Sequence, residues 1–193
     1  CMQFRISRRS CRQCLTGMSA AMGVKLDPET EICSLLGSQE GLAHIALSIV
    51  DEGDVVLVPD PCYPVFADGP SLAGAELYYM PQREENHYII DLKEIPEKVA
   101  QRAKFMIVSY PNNPTAVLAP DSFYEELIAF AKKYDIIVLH DNAYSELVFD
   151  GRTCGSFCVS QEREKSEWNL IPCQRLMDWR GHVSASAWEI RKL

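Results

Sequence analysis

Apolar residues recur at two spacings between Gly23 and Phe157, and the spacings alternate along the chain. In "GSQEGLAHIALSIVDEGD" Leu42, Ile45, Ala46 and Ile49 share one face of a helix that begins at a glycine turn, residues 37–41. "VVLVP" (55–59) and "AELYYMP" (75–81) are short strands. "DLKEIPEKVAQRA" reads as a polar helix interrupted by Pro96, and "KFMIVSYP" as a strand that ends at Tyr110. Phe123, Leu127 and Ala131 share a face of the helix "SFYEELIAFAKKYD", with Asp121 as its expected cap. The strand "IIVLHD" closes the series. Helices alternating with short apolar strands predict an α/β fold with a mostly parallel sheet covered on both faces. On such sheets ligands sit beyond the carboxyl ends of the strands. The segments there are the 37–41 turn, "SYPNNPT" and "HDNAY".

The two ends lack such periodicity. Residues 1–22 and 158–193 show no consistent spacing, and "SEWNLIPCQRLMDWRGHVSASAWEIRKL" gives no credible helix or strand boundaries, although it holds Trp168, Trp179 and Trp188. The N-terminus is basic without the apolar stretch of a secretory signal, and the missing Met at position 1 suggests a fragment.

Composition then narrows the function. The net charge of −8 argues against a general nucleic-acid binder, and no apolar run approaches the roughly 20 residues of a membrane span. The default location is the cytoplasm. Of eight cysteines, Cys1, Cys11, Cys14, Cys158 and Cys173 lie in the aperiodic ends. Cys11 and Cys14 form a C-x-x-C without a second pair at zinc spacing, so no metal site is expected.

The candidate chemistry sits at three predicted strand ends. A helix start at Ser38 and Gln39 offers free amides and a positive dipole to an anion, although most such turns simply turn. "PNNPT" is stiff and aims Asn113, or is an ordinary proline turn. Asp141 and Tyr144 are released together at the end of a buried strand, or are a cap with a packed tyrosine. His140 reads as packing or as support for its neighbours.

Taken in order, "GSQEG", "PDPCYPVF", "YPNNPT" and "HDNAY" resemble the large domain of a fold-type I pyridoxal-phosphate aminotransferase, of the aspartate and LL-diaminopimelate aminotransferase kind. The resemblance covers residues 23–157. It implies a partial three-layer α/β/α large domain, pyridoxal 5'-phosphate as cofactor, amino-acid and 2-oxo-acid substrates, and a homodimer. It assigns the cofactor phosphate to Ser38 and Gln39, the ring face to Tyr63, the phenolic oxygen to Asn113 and Tyr144, and the pyridine nitrogen to Asp141. A carboxylate there keeps the nitrogen protonated, and a protonated ring withdraws electrons from the substrate. Ala116 departs from the glycine usual in the family; at a positive φ alanine costs about 1 kcal/mol. A carbon–sulfur lyase of the same fold and a non-catalytic cofactor-binding or interaction domain are the alternatives.

The family's Schiff-base lysine, about 35 residues after the aspartate, is absent; Gln174 and Arg175 stand there, and Lys165 lies in a charged run. The expectation is therefore an inactive fragment with no catalytic residue. Back-translation offers a reason. Codons chosen for Asn169 to Arg175 read as "FNSLSK" when the frame moves by one base, with the lysine codon spanning Gln174 and Arg175. Downstream the same frame reads "TYGLAGARIGFCVG", and upstream "LCFPGARKVGVE" directly after Phe157. One lost T at Phe157 accounts for the join. A similar shift permits "DWYERRYGV" before Gly23. On this reading residues 1–22 and 158–193 are out of frame, and 23–157 is the true domain.

Overall fold

The computed structural model describes Leu35, residues 38–144 and 147–149, and the backbone strands 170–176 and 185–188. The expectations for residues 1–22, the Cys11–Cys14 pair, Gly37 and Lys165 lie outside the described residues.

The chain alternates as expected: α1 (Ser38–Ile49), β1 (Val55–Asp60), α2 (Val65–Leu72), β2 (Glu76–Pro81), α3 (Glu97–Ala100), β3 (Ala103–Ser109), α4 (Asp121–Tyr134) and β4 (Ile137–Asp141). Two further strands follow, β5 (Leu170–Leu176) and β6 (Ala185–Trp188). The sheet runs β2-β1-β3-β4-β5-β6, with β6 antiparallel and the rest parallel.

Period-two alternation in β3 divides the core. Phe105 and Ile107 join Val56, Val58 and Leu139 beneath α1 and α2, which contribute Leu42, Ala46, Val65 and Phe66. Met106 and Val108 join Leu57 and Val138 beneath α4, which contributes Phe123, Leu127, Ile128 and Ala131. Helices thus cover both faces, the three-layer arrangement expected from the apolar strands.

Three expectations need correction. The tail was read as lacking strand boundaries, yet it holds β5 and β6. β4 presents an edge of amides and carbonyls, and residues 170–176 pair with it in parallel register, Pro172 level with His140. The polar helix at 91–103 breaks completely into a 3-10 turn, Leu92–Glu94, and the single-turn α3, because Pro96 takes the N-cap. Asp121 is not the cap of α4. Pro120, extended at φ −71° and ψ 158°, occupies that place and Asp121 is the first helical residue, where its carboxylate faces the helix dipole. A helix that the sequence pattern did not place, α2, runs over "VFADGPSL" with Gly69 and Pro70 inside it. Gly69 suits this contact: a Cβ there would stand 3.1 Å from the Ala43 carbonyl oxygen of α1, so a larger residue would push the two helices apart by a few tenths of an ångström.

Ala116 has φ 57°, the left-handed region that penalises a Cβ. Ala116→Gly relieves that strain but adds freedom to the unfolded chain. The expected outcome is a net gain of about 0.5–1 kcal/mol, read as a higher denaturation midpoint at unchanged m-value.

Candidate functional site

Three strands deliver their ends to one edge of the sheet. Ser109 of β3 pairs in register with Asp141 of β4. Leu57 pairs with Met106, so Asp60 at the end of β1 comes level with Ser109 when that register continues. The chain turns from α1 into β1 within Val50–Asp54, so α1 runs antiparallel to β1. A helix of 12 residues spans about 18 Å and a strand of six about 20 Å. The amides that open α1 therefore stand level with the carboxyl ends of the strands, where they favour an anion.

The expected residues fall as follows. Ser38 is the first residue of α1 and half-buried; Gln39 is exposed. Tyr63 follows β1, half-buried, packed on the core beneath α1 and edge-on to Phe66 at 6.0 Å. Asp141 ends β4 at 6% exposure. Asn113 and Tyr144 line one cavity of about 640 Å³, with Pro111, Asn112 and Leu118 among its walls. Asn113 and Tyr144 are thus brought together. Ser38, Gln39, Tyr63 and Asp141 lie at the same edge but are not among the described residues lining that cavity.

Behind Asn113 stands a buried polar network absent from the sequence reading. The Tyr110 hydroxyl accepts hydrogen bonds from Gln82 Nε2 and from the Ile90 amide, each at 3.0 Å. Asn112 Nδ2 donates to Gln82 Oε1 at 2.8 Å and to Thr115 Oγ1 at 3.0 Å. The turn closes when Ala116 N donates to the Asn112 carbonyl at 2.7 Å and Asn112 N to that of Val117 at 3.2 Å. Burial pushes the Tyr110 phenol up, against the opposing pull of the bonds from Ile90 and Gln82, so it stays neutral. The doublet Asn112-Asn113 was a signal that one amide serves structure, but nothing in the local sequence marks Gln82.

His140 packs in the core, the first of the two roles read for it. It is 1% exposed, its ring lies edge-on to Tyr124 at 5.3 Å, and Nε2 lies 3.3 Å from the Tyr110 carbonyl oxygen. Burial lowers its pKa to about 4, partly countered by that carbonyl. The folded protein thus refuses a proton that the unfolded chain takes up below about pH 6.5. Stability is unaffected above that pH and falls as pH drops from about 6.5 to 4, by about 3 kcal/mol in all. Denaturation measured across this window should show the loss, and His140→Gln should flatten it.

Residues 12–173 match the family Aminotransferase class I and II. The chain belongs to that family. It is 53% identical over 135 residues to the LL-diaminopimelate aminotransferase of Moorella thermoacetica, covering 70% of this chain and 35% of that protein. Against the enzyme of the same name from Halothermothrix orenii it is 51% identical over 143 residues, 74% of this chain and 37% of that one. The chain therefore spans little more than a third of these curated relatives. Among solved structures, substrate-bound BacF from Bacillus subtilis superposes with a TM-score of 0.87 at 31% identity, over 97% of this chain and 48% of that one. A probable N-succinyldiaminopimelate aminotransferase from Thermus thermophilus gives 0.82 at 30% identity, over 94% and 48%. These likenesses bear out the expected aminotransferase large-domain fold, and the family depends on pyridoxal phosphate. Among the described residues no helix is long and apolar enough to cross a membrane, and no cluster of side chains could hold a metal ion.

Proposed function

We propose that this chain is the cofactor-binding part of a pyridoxal-phosphate aminotransferase that moves an amino group from an amino acid to a 2-oxo acid. The observation that carries the reading is Asp141: a carboxylate buried at the carboxyl end of a central parallel strand, in a chain of this family. A carboxylate at this strand end suits a protonated pyridine nitrogen, whose N–H it accepts and whose charge it favours. The donor set also suits the rest of the cofactor. The first amides of α1, at Ser38 and Gln39, would hold the phosphate. Tyr63 would cover the ring, and Asn113 with Tyr144 would donate to its phenolic oxygen. When bound, the cofactor supplies an electron sink for the substrate's α-carbon. The part of these residues is to hold the ring in one orientation, keep its nitrogen protonated and shield it from water.

LL-diaminopimelate is the first amino donor to test, because it is the substrate named for the relatives at 53% and 51% identity. A cytoplasmic homodimer is the form we propose for the complete protein, with no nucleic-acid or membrane partner. The frame shift after Phe157, with residues 1–22 and 158–193 out of frame, remains part of the proposal, and the nucleotide sequence across Phe157–Leu193 decides it.

Without the lysine, this chain should bind the cofactor weakly and without a bond. Titration with pyridoxine 5'-phosphate, which has no aldehyde and cannot attach to surface lysines, should quench aromatic fluorescence saturably, and Asp141→Ala should weaken binding about tenfold. No binding up to millimolar ligand would remove the cofactor role from this chain. For the complete protein in the corrected frame, amino transfer to 2-oxoglutarate is expected; release of sulfide or ammonia from cysteine-like substrates with no transfer would favour a lyase instead.

A further inference from the structure

Gln82 stands outside every element that carries the proposed site, yet both polar atoms of its side chain are committed. It follows β2 and is tied to the end of β1 by its own amide, which donates to the Asp60 carbonyl at 2.7 Å. It is 5% exposed. Its Nε2 donates to the Tyr110 hydroxyl and its Oε1 accepts from Asn112 Nδ2. The two residues it joins flank Pro111 and lead directly into Asn113. Asn112 in turn closes the 112–117 turn through its main chain and through Thr115. That turn contains Ala116 in the left-handed region, a conformation that alanine does not favour and that must be imposed from outside. A surface turn of this kind would otherwise sample other shapes. The imposed constraint runs through one buried glutamine to a strand, β1, two strands away from Asp141.

We propose that Gln82 is a positioning residue of the cofactor site. By clamping Tyr110 and Asn112 to the end of β1 and β2, it fixes the turn that presents Asn113 to the cavity shared with Tyr144. The proposal rests on the reading that Asn113 meets the cofactor, and it adds the residue that acts through Asn113. Gln82 itself touches no reacting atom.

The test uses the 193-residue chain with Gln82→Met, which keeps the length and removes both hydrogen bonds. Amide exchange at Ala116 and Asn112 should speed up roughly tenfold, while amides of β3 and α4 are unchanged. The dissociation constant for pyridoxine 5'-phosphate should rise roughly tenfold. In an Asn113→Ala background, Gln82→Met should weaken binding no further, because its effect passes through Asn113. Uniform acceleration across the sheet, or the same weakening in both backgrounds, would make Gln82 a general stabiliser and overturn the proposal. If Gln82→Met does not fold, Asn112→Ala cuts the same link from the other end and must give the same local pattern. If the parent chain binds no pyridoxine phosphate, the cofactor reading of this chain fails, and the exchange pattern alone decides whether Gln82 holds the turn.

Discussion

Asp141→Ala in the complete, in-frame and cofactor-loaded protein is expected to slow amino transfer by roughly two to four orders of magnitude. Asp141 is 6% exposed at the end of β4, where water cannot screen it and its charge acts over a short range at low dielectric. A carboxylate so placed raises the pKa of a pyridine nitrogen beside it and so keeps that nitrogen charged at neutral pH. Without the carboxylate no described side chain at this strand end would hold a charge on that nitrogen, and the electron withdrawal that the cofactor supplies when bound would weaken. Asp141→Asn keeps the shape and removes the charge, so it separates charge from packing. Both variants should show the loss in single-turnover rates, which exclude product release. Cofactor content must be measured alongside, since weaker binding is the trivial alternative. A folded, loaded Asp141→Asn protein within tenfold of the parent rate would sink the assignment.

How much of this was legible beforehand differs from element to element. β1, β3 and β4 could be read because they are buried on both faces and therefore continuous in Val, Ile, Leu, Phe and Met. The helical faces of α1 and α4 were equally plain, since each packs on only one side of the sheet. The positions of Asn113, Asp141 and Tyr144 near strand ends were legible because the strands themselves were, and strand ends on a parallel sheet are where ligands sit; their roles belong to the proposal. α2 was not legible. Its Gly69 and Pro70 oppose a helix locally, and the close approach to the Ala43 carbonyl accounts for the glycine. Gln82 was not legible either, because a side chain that joins residues 28 and 30 positions away leaves no local pattern. β5 was hidden for a third reason: its pairing is set by the open edge of β4 and not by its own alternation.

β5 also leads to the sharpest test of the tail. It runs parallel to β4, with Asp141 level with Cys173. Position 175 lies two residues further along β5, just beyond the level at which β4 ends. That is where the shifted frame puts its lysine codon. Arg175→Lys in this chain, without any other repair, should therefore gain a covalent attachment that the parent lacks. The measurement is incubation with pyridoxal phosphate, borohydride reduction and peptide mapping. Pyridoxal phosphate labels accessible lysines on any protein, so the readout is selectivity. An amine held beside a bound aldehyde reacts at an effective concentration far above that of free ligand. Labelling at residue 175 should exceed that at any other lysine at least about tenfold at limiting ligand. It should fall when Asp141→Ala is added, because the ligand is then held less well. Labelling spread evenly over the lysines, or unaffected by Asp141→Ala, would mean that β5 does not present position 175 to the site.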